Sequence, residues 1–319
     1  MPIIVAALLL FHRAVPNASL LETFLPWLGL AIPVLLVRAW FRSLRAVFVA
    51  VLPLVVWLGV FGERLLPPSG GTHQFVVVQH NVSDENTDPA GTVRTLLESR
   101  PDFVGLEEVT PEALPLYAAA FGAAGLGAAG LGAAGLGAAG SGVAGSGAAA
   151  SGRDYPYVTV QGTVALWSRY PLTEARLLDI RPSTQGPDWN RGLRAVAHTP
   201  YGDVAVYVAH LSSVRLGLGG FDSANRDESA RKLSAAIVAE PLDRVLLLGD
   251  LNSTVDDRAL EPVLGRLHTA EAGFAFSWPV RLPVARIDHV LADGMTVVDV
   301  RTLPRTGSDH LPVMARLRL

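Results

Sequence analysis

Two long apolar stretches lie near the start of the chain. Residues 20–37 carry Glu22 as their only charge, although Pro26 and Pro33 interrupt them, and residues 46–62 carry no charge. At about 1.5 Å per residue each stretch reaches roughly 25–27 Å, close to the ~30 Å of a bilayer core. Because neither stretch has a polar face, the pattern predicts two transmembrane helices rather than two core helices of a soluble domain. Residues 1–66 are therefore predicted to be a membrane anchor.

The charges around these stretches predict an orientation. Arg38, Arg42 and Arg45 lie between the two spans, and basic loops remain on the cytoplasmic side of a membrane. The chain after Glu63 is therefore expected outside the cell. A third apolar run, residues 2–11, is too short to cross a bilayer. It is interpreted either as the remainder of a truncated span or as a segment lying on the membrane.

Residues 122–151 consist of six pentapeptides rich in alanine and glycine. A repeat without charged or aromatic residues buries too little surface to offset the entropy of ordering it. A glycine-rich phosphate loop would require a following Gly-Lys-Ser/Thr, which the repeat lacks. The repeat is predicted to be a flexible surface insertion without a chemical role.

Residues 67–319, apart from this repeat, show short apolar runs that alternate with helical stretches. Residues 92–99 and 223–239 are predicted helices, because their apolar positions recur with helical spacing. Mixed elements of this kind predict an α/β or α+β layered fold. The predicted strands are residues 75–79, 103–106, 157–160, 163–167, 204–209, 245–248, 287–291 and 313–319.

Composition narrows the chemistry. The chain contains no cysteine, which excludes disulfides and thiolate metal sites. Residues 1–66 carry a net charge of +3, whereas residues 67–319 carry −6. Proteins that bind nucleic acid through phosphate contacts usually present a basic surface, so specific nucleic-acid binding is not expected.

Polar residues cluster where the predicted strands begin or end. Any one Asp or Asn at such a position is more often a turn former or a helix cap than a site residue. Six such groups of Asn, Glu, His, Asp and Arg together are typical of a hard cation held by oxygen ligands and of phosphoryl transfer to water. The groups are His80-Asn81, Glu107-Glu108, His210, Gly249-Asp250-Leu251-Asn252, Arg286-Ile287-Asp288 and Gly307-Ser308-Asp309-His310.

This series, which also includes Ser168-Arg169, resembles the endonuclease/exonuclease/phosphatase superfamily over residues 74–319. The Gly-Asp-x-Asn and Ser-Asp-His motifs are its most specific part. The two predicted spans, with residues 163–172 and 206–215, are similar to an actinobacterial membrane-anchored branch that includes a teicoplanin-resistance protein. The resemblance implies a four-layer α/β/β/α sandwich of the DNase I-like type and a requirement for Mg²⁺, or for Mn²⁺ in its place.

The resemblance also implies roles for individual residues. Glu108 would be the principal metal carboxylate, with Asn81 beside it. Asp250 would position or deprotonate the attacking water, and Asn252 would help to hold the phosphate. The remaining catalytic candidates are His310 facing the phosphate, Asp309 orienting the His310 ring, and His210 stabilising charge on the phosphate oxygens.

Further residues are candidates for the surroundings of the phosphate. Asp288 is expected to be a carboxylate in or beside the site. The family commonly has Gln before the metal-binding Glu, whereas this chain has Glu107, whose role stays open. Arginines that bind phosphate as clamps are expected among Arg191, Arg194, Arg215 and Arg226, with solvated surface charge as the alternative for each.

A fold of this type does not determine which phosphoester is the substrate. The substrate is therefore inferred from the membrane topology and the charge of the chain. An external domain tethered to the bilayer is close to lipid headgroups, and the tether raises their effective concentration. The membrane branch implies a phosphatase acting on undecaprenyl or another polyprenyl pyrophosphate in cell-wall lipid recycling or glycopeptide resistance, with the lipid bilayer as its partner. An extracellular membrane-tethered nuclease and an inactive membrane-anchored binding protein are the alternatives.

Overall fold

The computed structural model describes residues 1–15, 18–67, 70–124, 154–217 and 220–319. Nearly all of the Ala/Gly repeat predicted as a surface insertion, residues 122–151, lies outside these ranges. Its first residues belong to the end of a helix.

The N-terminal residues form four helices. The helical unit Leu44–Leu65 is the only one among the described ranges that is long and apolar enough to cross a membrane. It contains the second predicted span, residues 46–62. The four helices are α1 (Pro2–Phe11), α2 (Ser19–Thr23), α3 (Ala31–Trp40) and α4 (Leu44–Phe61).

The first predicted span, residues 20–37, is not one helix. It is divided between α2, a 3₁₀ turn over Leu25–Leu30 that Pro26 helps to start, and α3. Glu22 is fully buried, and its Oε1 lies 2.8 Å from Nη2 of Arg258 in the C-terminal part of the chain. This ion pair holds the start of the stretch against the rest of the protein, and a second span is not confirmed.

Thirteen strands and four further helices make up the described part of residues 70–319. The helices are α5 (Pro89–Leu97), α6 (Leu114–Ala124), α7 (Ala224–Val238) and α8 (Glu261–Leu264). The strands are β1 (Phe75–Asn81), β2 (Phe103–Glu107), β3 (Tyr157–Gln161), β4 (Val164–Ser168), β5 (Leu172–Leu177), β6 (Gly192–Thr199), β7 (Gly202–Ala209), β8 (Arg215–Gly217), β9 (Gly220–Asp222), β10 (Val245–Asp250), β11 (Asp288–Asp293), β12 (Thr296–Thr302) and β13 (Val313–Arg318).

Two mixed sheets pack face to face. The first has the order β12-β13-β1-β2-β4-β3 and the second β11-β10-β7-β6-β5, while β8 and β9 form a separate hairpin. Apolar residues from both sheets, among them Val77, Phe103, Val208 and Leu248, form the core between them. Gly105 of β2 permits the close approach, because a Cβ there would lie 3.0 Å from the side chain of Leu248.

Helices cover the outer faces of both sheets. Residues of α5 and α6 pack on the first sheet through Val93, Leu96 and Phe121, and α7 packs on the second through Leu233 and Ile237. The layers are therefore helix, sheet, sheet, helix, as expected of a DNase I-like sandwich.

All eight predicted strands and both predicted helices after residue 66 correspond to elements of the structure, with shifted ends. Five strands, β5, β6, β8, β9 and β12, were not predicted. Each carries charged residues within its span, such as Glu174, Arg194 and Asp299, which interrupt the apolar pattern. Arg194 and Asp299 are nonetheless buried.

Candidate active site

The candidate site lies at one edge of the sandwich, where strands from both sheets end. β1 runs parallel to β2, and β7 runs parallel to β10, so each pair ends at one edge of its sheet. Asp250 at the end of β10 lies opposite Asp288 at the start of the antiparallel β11. Strand pairing thus brings together side chains that are distant in sequence.

The chain turns sharply after β10. A Cβ at Gly249 would lie 2.1 Å from the carbonyl oxygen of Ala209 at the end of β7, so the close approach of the two strands requires glycine. Asn252 adopts a left-handed conformation with φ of 47°. Its backbone N–H donates to Oδ1 of Asp250 at 3.0 Å, and its Nδ2 donates to the carbonyl of Leu211 at 2.9 Å. The Gly-Asp-x-Asn motif is therefore a turn that fixes the Asp250 carboxylate.

His310 is nearly buried and is held by Asp288. Its Nδ1 lies 2.8 Å from Oδ2 of Asp288, and its Nε2 lies 3.8 Å from Oδ2 of Asp250. Its backbone N–H donates to Oγ of Ser308, which in turn donates to the carbonyl of Asn81. The ring is thus oriented from its side chain and from its backbone.

This arrangement favours the imidazolium form of His310. Burial by itself would lower the pKa of the ring, but the adjacent carboxylates of Asp288 and Asp250 outweigh it and raise the pKa to about 10. Burial would likewise raise the pKa of Asp288, and the charge and hydrogen bond of His310 reverse that direction and lower it. The two groups form a buried ion pair in which each stabilises the charge of the other.

The expected orienting residue is therefore corrected. Asp309 is exposed and lines the cleft beside His310, whereas the carboxylate that contacts the His310 ring belongs to Asp288. Strand β11 places Asp288 beside the His310 ring, although Asp309 is the residue next to His310 in sequence.

Asp250 lies at the centre of the remaining contacts. It accepts a hydrogen bond from Nδ2 of Asn81 at 3.0 Å, and its Oδ2 lies 3.6 Å from Nε2 of His210. Burial is the main cause that raises the pKa of Asp250, and the nearby Asp288 raises it further. His210 is also buried, and burial together with Arg191 holds its pKa well below the ordinary value. His210 is therefore a neutral ring at neutral pH.

Glu108 and Arg191 lie at the opening of this cluster. Glu108 adopts φ of 59° directly after β2, and its Oε1 lies 3.8 Å from Nε2 of His210. The Arg191 guanidinium is beside the same ring, with Nη1 at 3.4 Å from Nδ1. Of the four candidate phosphate clamps, Arg191 is the one that the structure places at the site.

The other three arginines lie elsewhere. Arg194 and Arg226 are buried in ion pairs, Arg194 with Glu240 at 2.9 Å and Arg226 with Asp257 at 2.9 Å. Neither is free to bind a substrate, so both candidates are wrong. Arg215 is exposed on β8, and its role as a phosphate clamp stays a prediction.

Glu107 is a buried carboxyl group behind the cluster. Its Oε2 accepts a hydrogen bond from Nε2 of Gln79 at 2.7 Å, and the same nitrogen lies 3.1 Å from Oδ1 of Asp288. Burial raises the pKa of Glu107 well above its ordinary value, and the charges of Asp288 and Asp250 raise it further. Gln79, which the sequence motifs did not indicate, links Glu107 to the Asp288–His310 pair.

The donor set fits a hard divalent cation. Oxygen atoms of Asp250 and Asp288 and a ring nitrogen of His310 lie within 4.8 Å of one another. The protonated His310 ring has no lone pair to offer, so the carboxylates are the candidate ligands. Glu108 adds a further carboxylate at the cleft, and Oε1 of Glu107 is buried among the described residues without a hydrogen-bond partner. Carboxylate oxygens are the ligands that Mg²⁺ prefers, and a cation would offset the repulsion that raises the pKa of Asp250. The assignment of Glu108 and Asn81 as metal ligands stays a prediction.

The cleft in front of the cluster has a volume of about 890 Å³ and two different walls. Asn81, Glu108, His210, Asp250, Asn252 and His310 form its polar side. Leu20, Thr23 and Phe24 of the N-terminal segment line it as well, together with Trp278, Val280 and Ile287. Polar and apolar side chains thus line the same cleft, and the N-terminal segment contributes to the apolar part.

Comparison with known proteins agrees with this geometry. A family model described as the Endonuclease/Exonuclease/phosphatase family matches residues 78–310. No curated protein matches the chain.

Solved structures share the fold. An endonuclease/exonuclease/phosphatase from Beutenbergia cavernae is similar at a TM-score of 0.51 and 18% identity, over 78% of this chain and 72% of that one. A double mutant of the Staphylococcus aureus beta toxin with bound magnesium ions reaches 0.52 at 17% identity, over 77% and 99%. The D. rerio TDP2 complexed with a single-strand DNA product reaches 0.53 at 16% identity, over 77% and 99%.

Proposed function

The chain belongs to the Endonuclease/Exonuclease/phosphatase family, and we propose that it hydrolyses a lipid-linked phosphate or pyrophosphate at a membrane surface. Members of this family are metal-dependent hydrolases of phosphoester bonds. The observation that supports a lipid substrate is the cleft, which is lined both by the catalytic residues and by apolar side chains. An amphiphilic phosphate matches both walls, because its headgroup is charged and its chain is apolar.

The apolar wall is a fixed part of the protein. Oγ of Ser19 donates to Oδ2 of Asp257 at 2.5 Å, and Glu22 forms its buried ion pair with Arg258. The contacts of Ser19 and Glu22 lie on both sides of Leu20 in the chain. They therefore hold the cleft residues Leu20, Thr23 and Phe24 in place. These contacts fix the segment against the C-terminal part of the chain, so it is part of the folded unit.

The side chains divide the chemistry between them. Asp250, fixed by the turn at Asn252, accepts a proton from the attacking water, for which a raised pKa is useful. The His310 imidazolium, held by Asp288, donates a hydrogen bond to the phosphate or a proton to the leaving group. Arg191 stabilises the negative charge that develops on the phosphate oxygens.

A divalent cation, Mg²⁺ or Mn²⁺, bound by Glu108 with Asn81 beside it would neutralise phosphate charge and lower the pKa of a bound water. The neutral His210 ring lies between Glu108 and Asp250. Its Nε2 approaches both carboxylates, and Nη1 of Arg191 lies 3.4 Å from Nδ1 and 3.5 Å from Nε2 of the ring. His210 is therefore proposed to align Arg191 with the phosphate.

The membrane placement rests on the helical unit Leu44–Leu65 and on the basic residues before it. Phe48, Val55 and Leu58 of α4 are exposed, as expected of a helix surrounded by lipid. We propose a cytoplasmic-membrane protein with its catalytic domain outside the cell. A reporter enzyme fused after Gly71 should then be active only outside the cytoplasm, and cytoplasmic activity would refute this orientation.

The specific substrate proposed is undecaprenyl or another polyprenyl pyrophosphate. The nuclease alternative draws support from the similarity to a TDP2 bound to single-strand DNA, and the acidic domain argues against it. Purified protein in detergent is assayed for phosphate release from undecaprenyl pyrophosphate and for nicking of plasmid DNA, each with Mg²⁺ and with chelator.

Phosphate release that requires the metal and is lost in His310→Ala supports the proposal. His198→Ala is the matched control, since His198 is exposed on β6 beside Thr173 and Asp203, outside the described cleft. Nicking without lipid turnover would establish the nuclease instead. The absence of both activities would favour an inactive binding protein.

A further inference from the structure

We propose that a second, apolar groove beside the cleft binds the hydrocarbon chain of the substrate, an inference that rests on the proposed lipid phosphatase function. The groove has a volume of about 370 Å³. Its lining contains no charged residue and includes Trp27, Ile32, Leu54, Trp57, Phe274 and Phe276. The N-terminal segment and α4 form one side, and the loop before β11 forms the other.

The groove is a built feature. The indole of Trp27 stacks on the ring of Phe276 with centroids 5.5 Å apart, and its Nε1 donates to the carbonyl of Val284 at 2.7 Å. Nε1 of Trp57 donates to the carbonyl of Pro26 at 2.7 Å. Both indole N–H groups are therefore satisfied by the protein, and the surface that the rings offer to a ligand is apolar.

A single wall separates the groove from the cleft. Phe24 lines the cleft, and Pro26, two residues later, lines the groove. On the opposite side Val284 accepts the hydrogen bond of Trp27, and the next residue, Ala285, lines the cleft. A small cavity of about 10 Å³, whose lining also includes Arg64, Asp256 and Arg286, shares Thr23 with the cleft and shares Pro26, Phe274 and Phe276 with the groove. The groove and the cleft thus lie within a few residues of each other along the N-terminal segment.

The location of the groove favours a hydrocarbon chain over a protein partner. Leu54 and Trp57 belong to α4, the helix proposed to cross the bilayer. A lipid chain enters this surface from the membrane without crossing water, whereas a soluble protein segment does not. The lack of charge in the groove and the concentration of charge in the cleft match the two ends of an amphiphile.

The test compares two soluble pyrophosphates that differ in chain length, dimethylallyl and farnesyl pyrophosphate. Each methylene withdrawn from water improves binding about four-fold, so kcat/KM for the farnesyl compound should exceed that for the dimethylallyl compound by about ten-fold or more. Leu54→Trp fills the groove and should reduce this ratio to near one while leaving turnover of the dimethylallyl compound within about two-fold. Leu58→Trp is the matched control, because Leu58 is exposed on the same helix.

A binding measurement gives a second readout that needs no turnover. Radiolabelled farnesyl pyrophosphate is titrated onto His310→Ala with and without Leu54→Trp, and the groove predicts weakening of about ten-fold or more by the second change. If Leu54→Trp does not fold, Ile32→Trp replaces it in both measurements.

The outcomes separate the two proposals. Hydrolysis of both compounds with equal effects of Leu54→Trp and Leu58→Trp refutes the groove and leaves the phosphatase intact. Farnesyl binding that Leu54→Trp weakens, without hydrolysis of either compound, refutes the phosphatase and supports the groove. Binding of farnesyl pyrophosphate that Leu54→Trp leaves unchanged refutes the groove.

Discussion

Replacing Asp288 with asparagine tests the structural assignment of the His310 partner. The substitution keeps the shape of the side chain and removes the charge that lies 2.8 Å from Nδ1 of His310. A pKa raised from 6.5 to about 10 corresponds to roughly 5 kcal/mol of preferential stabilisation of the protonated ring. Burial opposes this effect, so without Asp288 the pKa of His310 should fall by at least about two pH units.

The direction of the pH effect on activity follows from the protonated form of His310. A protonated His310 that donates to the phosphate or leaving group supports activity below its pKa, and activity is lost as the pH rises through it. In Asp288→Asn the alkaline limb of the pH profile of kcat/KM should therefore move to lower pH by about two units. At neutral pH the ring of this variant stays largely protonated, so kcat should fall there only through the lost orientation of the ring, by less than the roughly 10²–10⁴-fold of a missing general acid.

The assay is phosphate release across the pH range, with thermal unfolding as a check on folding. Asp309→Asn is the matched comparison, because Asp309 adjoins His310 in sequence and lines the cleft without contacting the ring. Its alkaline limb should stay within about half a pH unit of wild type. A shift of the limb in Asp309→Asn and none in Asp288→Asn would refute the assignment.

Three further predictions concern the metal, acid stability and the arginines. Chelator should abolish phosphate release and Mg²⁺ should restore it, while Glu108→Gln should lower kcat/KM about 100-fold or more; full activity in chelator would contradict the metal site. His80 is fully buried, and burial lowers its pKa to about 3. Below about pH 6.5 the unfolded chain protonates His80 and the folded chain does not, so the free energy of unfolding should fall by about 2 kcal/mol between pH 6.5 and 5. His80→Phe should remove this pH-dependent loss. Thermal unfolding of His80→Phe with an unchanged acid sensitivity would argue against the role of His80. Arg194→Met should lower the free energy of unfolding by about 3–5 kcal/mol, because it leaves Glu240 buried without its partner, and should spare kcat/KM. Arg191→Met should lower kcat/KM and leave the free energy of unfolding nearly unchanged. Equal losses of activity in Arg191→Met and Arg194→Met would contradict the placement of Arg191 at the site.

The local parts of the fold and site are readable in the sequence. The strand β10 was predicted from a short apolar run, and the Gly-Asp-x-Asn motif that follows it was identified as part of the candidate site. Such signals arise within a few consecutive residues, since burial and turn geometry act locally. The strands β5, β6 and β12 escaped prediction because tertiary contacts, not local pattern, offset their charged residues.

The arginines show why residue type does not settle a role. Arg194 lies in β6 between Leu193 and Ala195, which face the core between the sheets. Successive side chains of a strand point to opposite faces, so Arg194 points to the outer face, where Glu240 binds it. Arg191 precedes the same strand and stays at the sheet edge, beside His210.

The sequence by itself determined the family, the layered fold and the residues that gather at one sheet edge, because strand-end motifs and apolar periodicity are local properties. The tertiary structure decided which of these residues touch. The register of β10 and β11 set Asp250 opposite Asp288, and the packing of the two sheets brought His310, which precedes β13, to Asp288. The fold also placed Glu22 against Arg258, although Glu22 belongs to a stretch whose sequence predicts a membrane span. Such contacts join residues far apart in the chain, and their energies depend on burial and distance, which only the folded structure supplies.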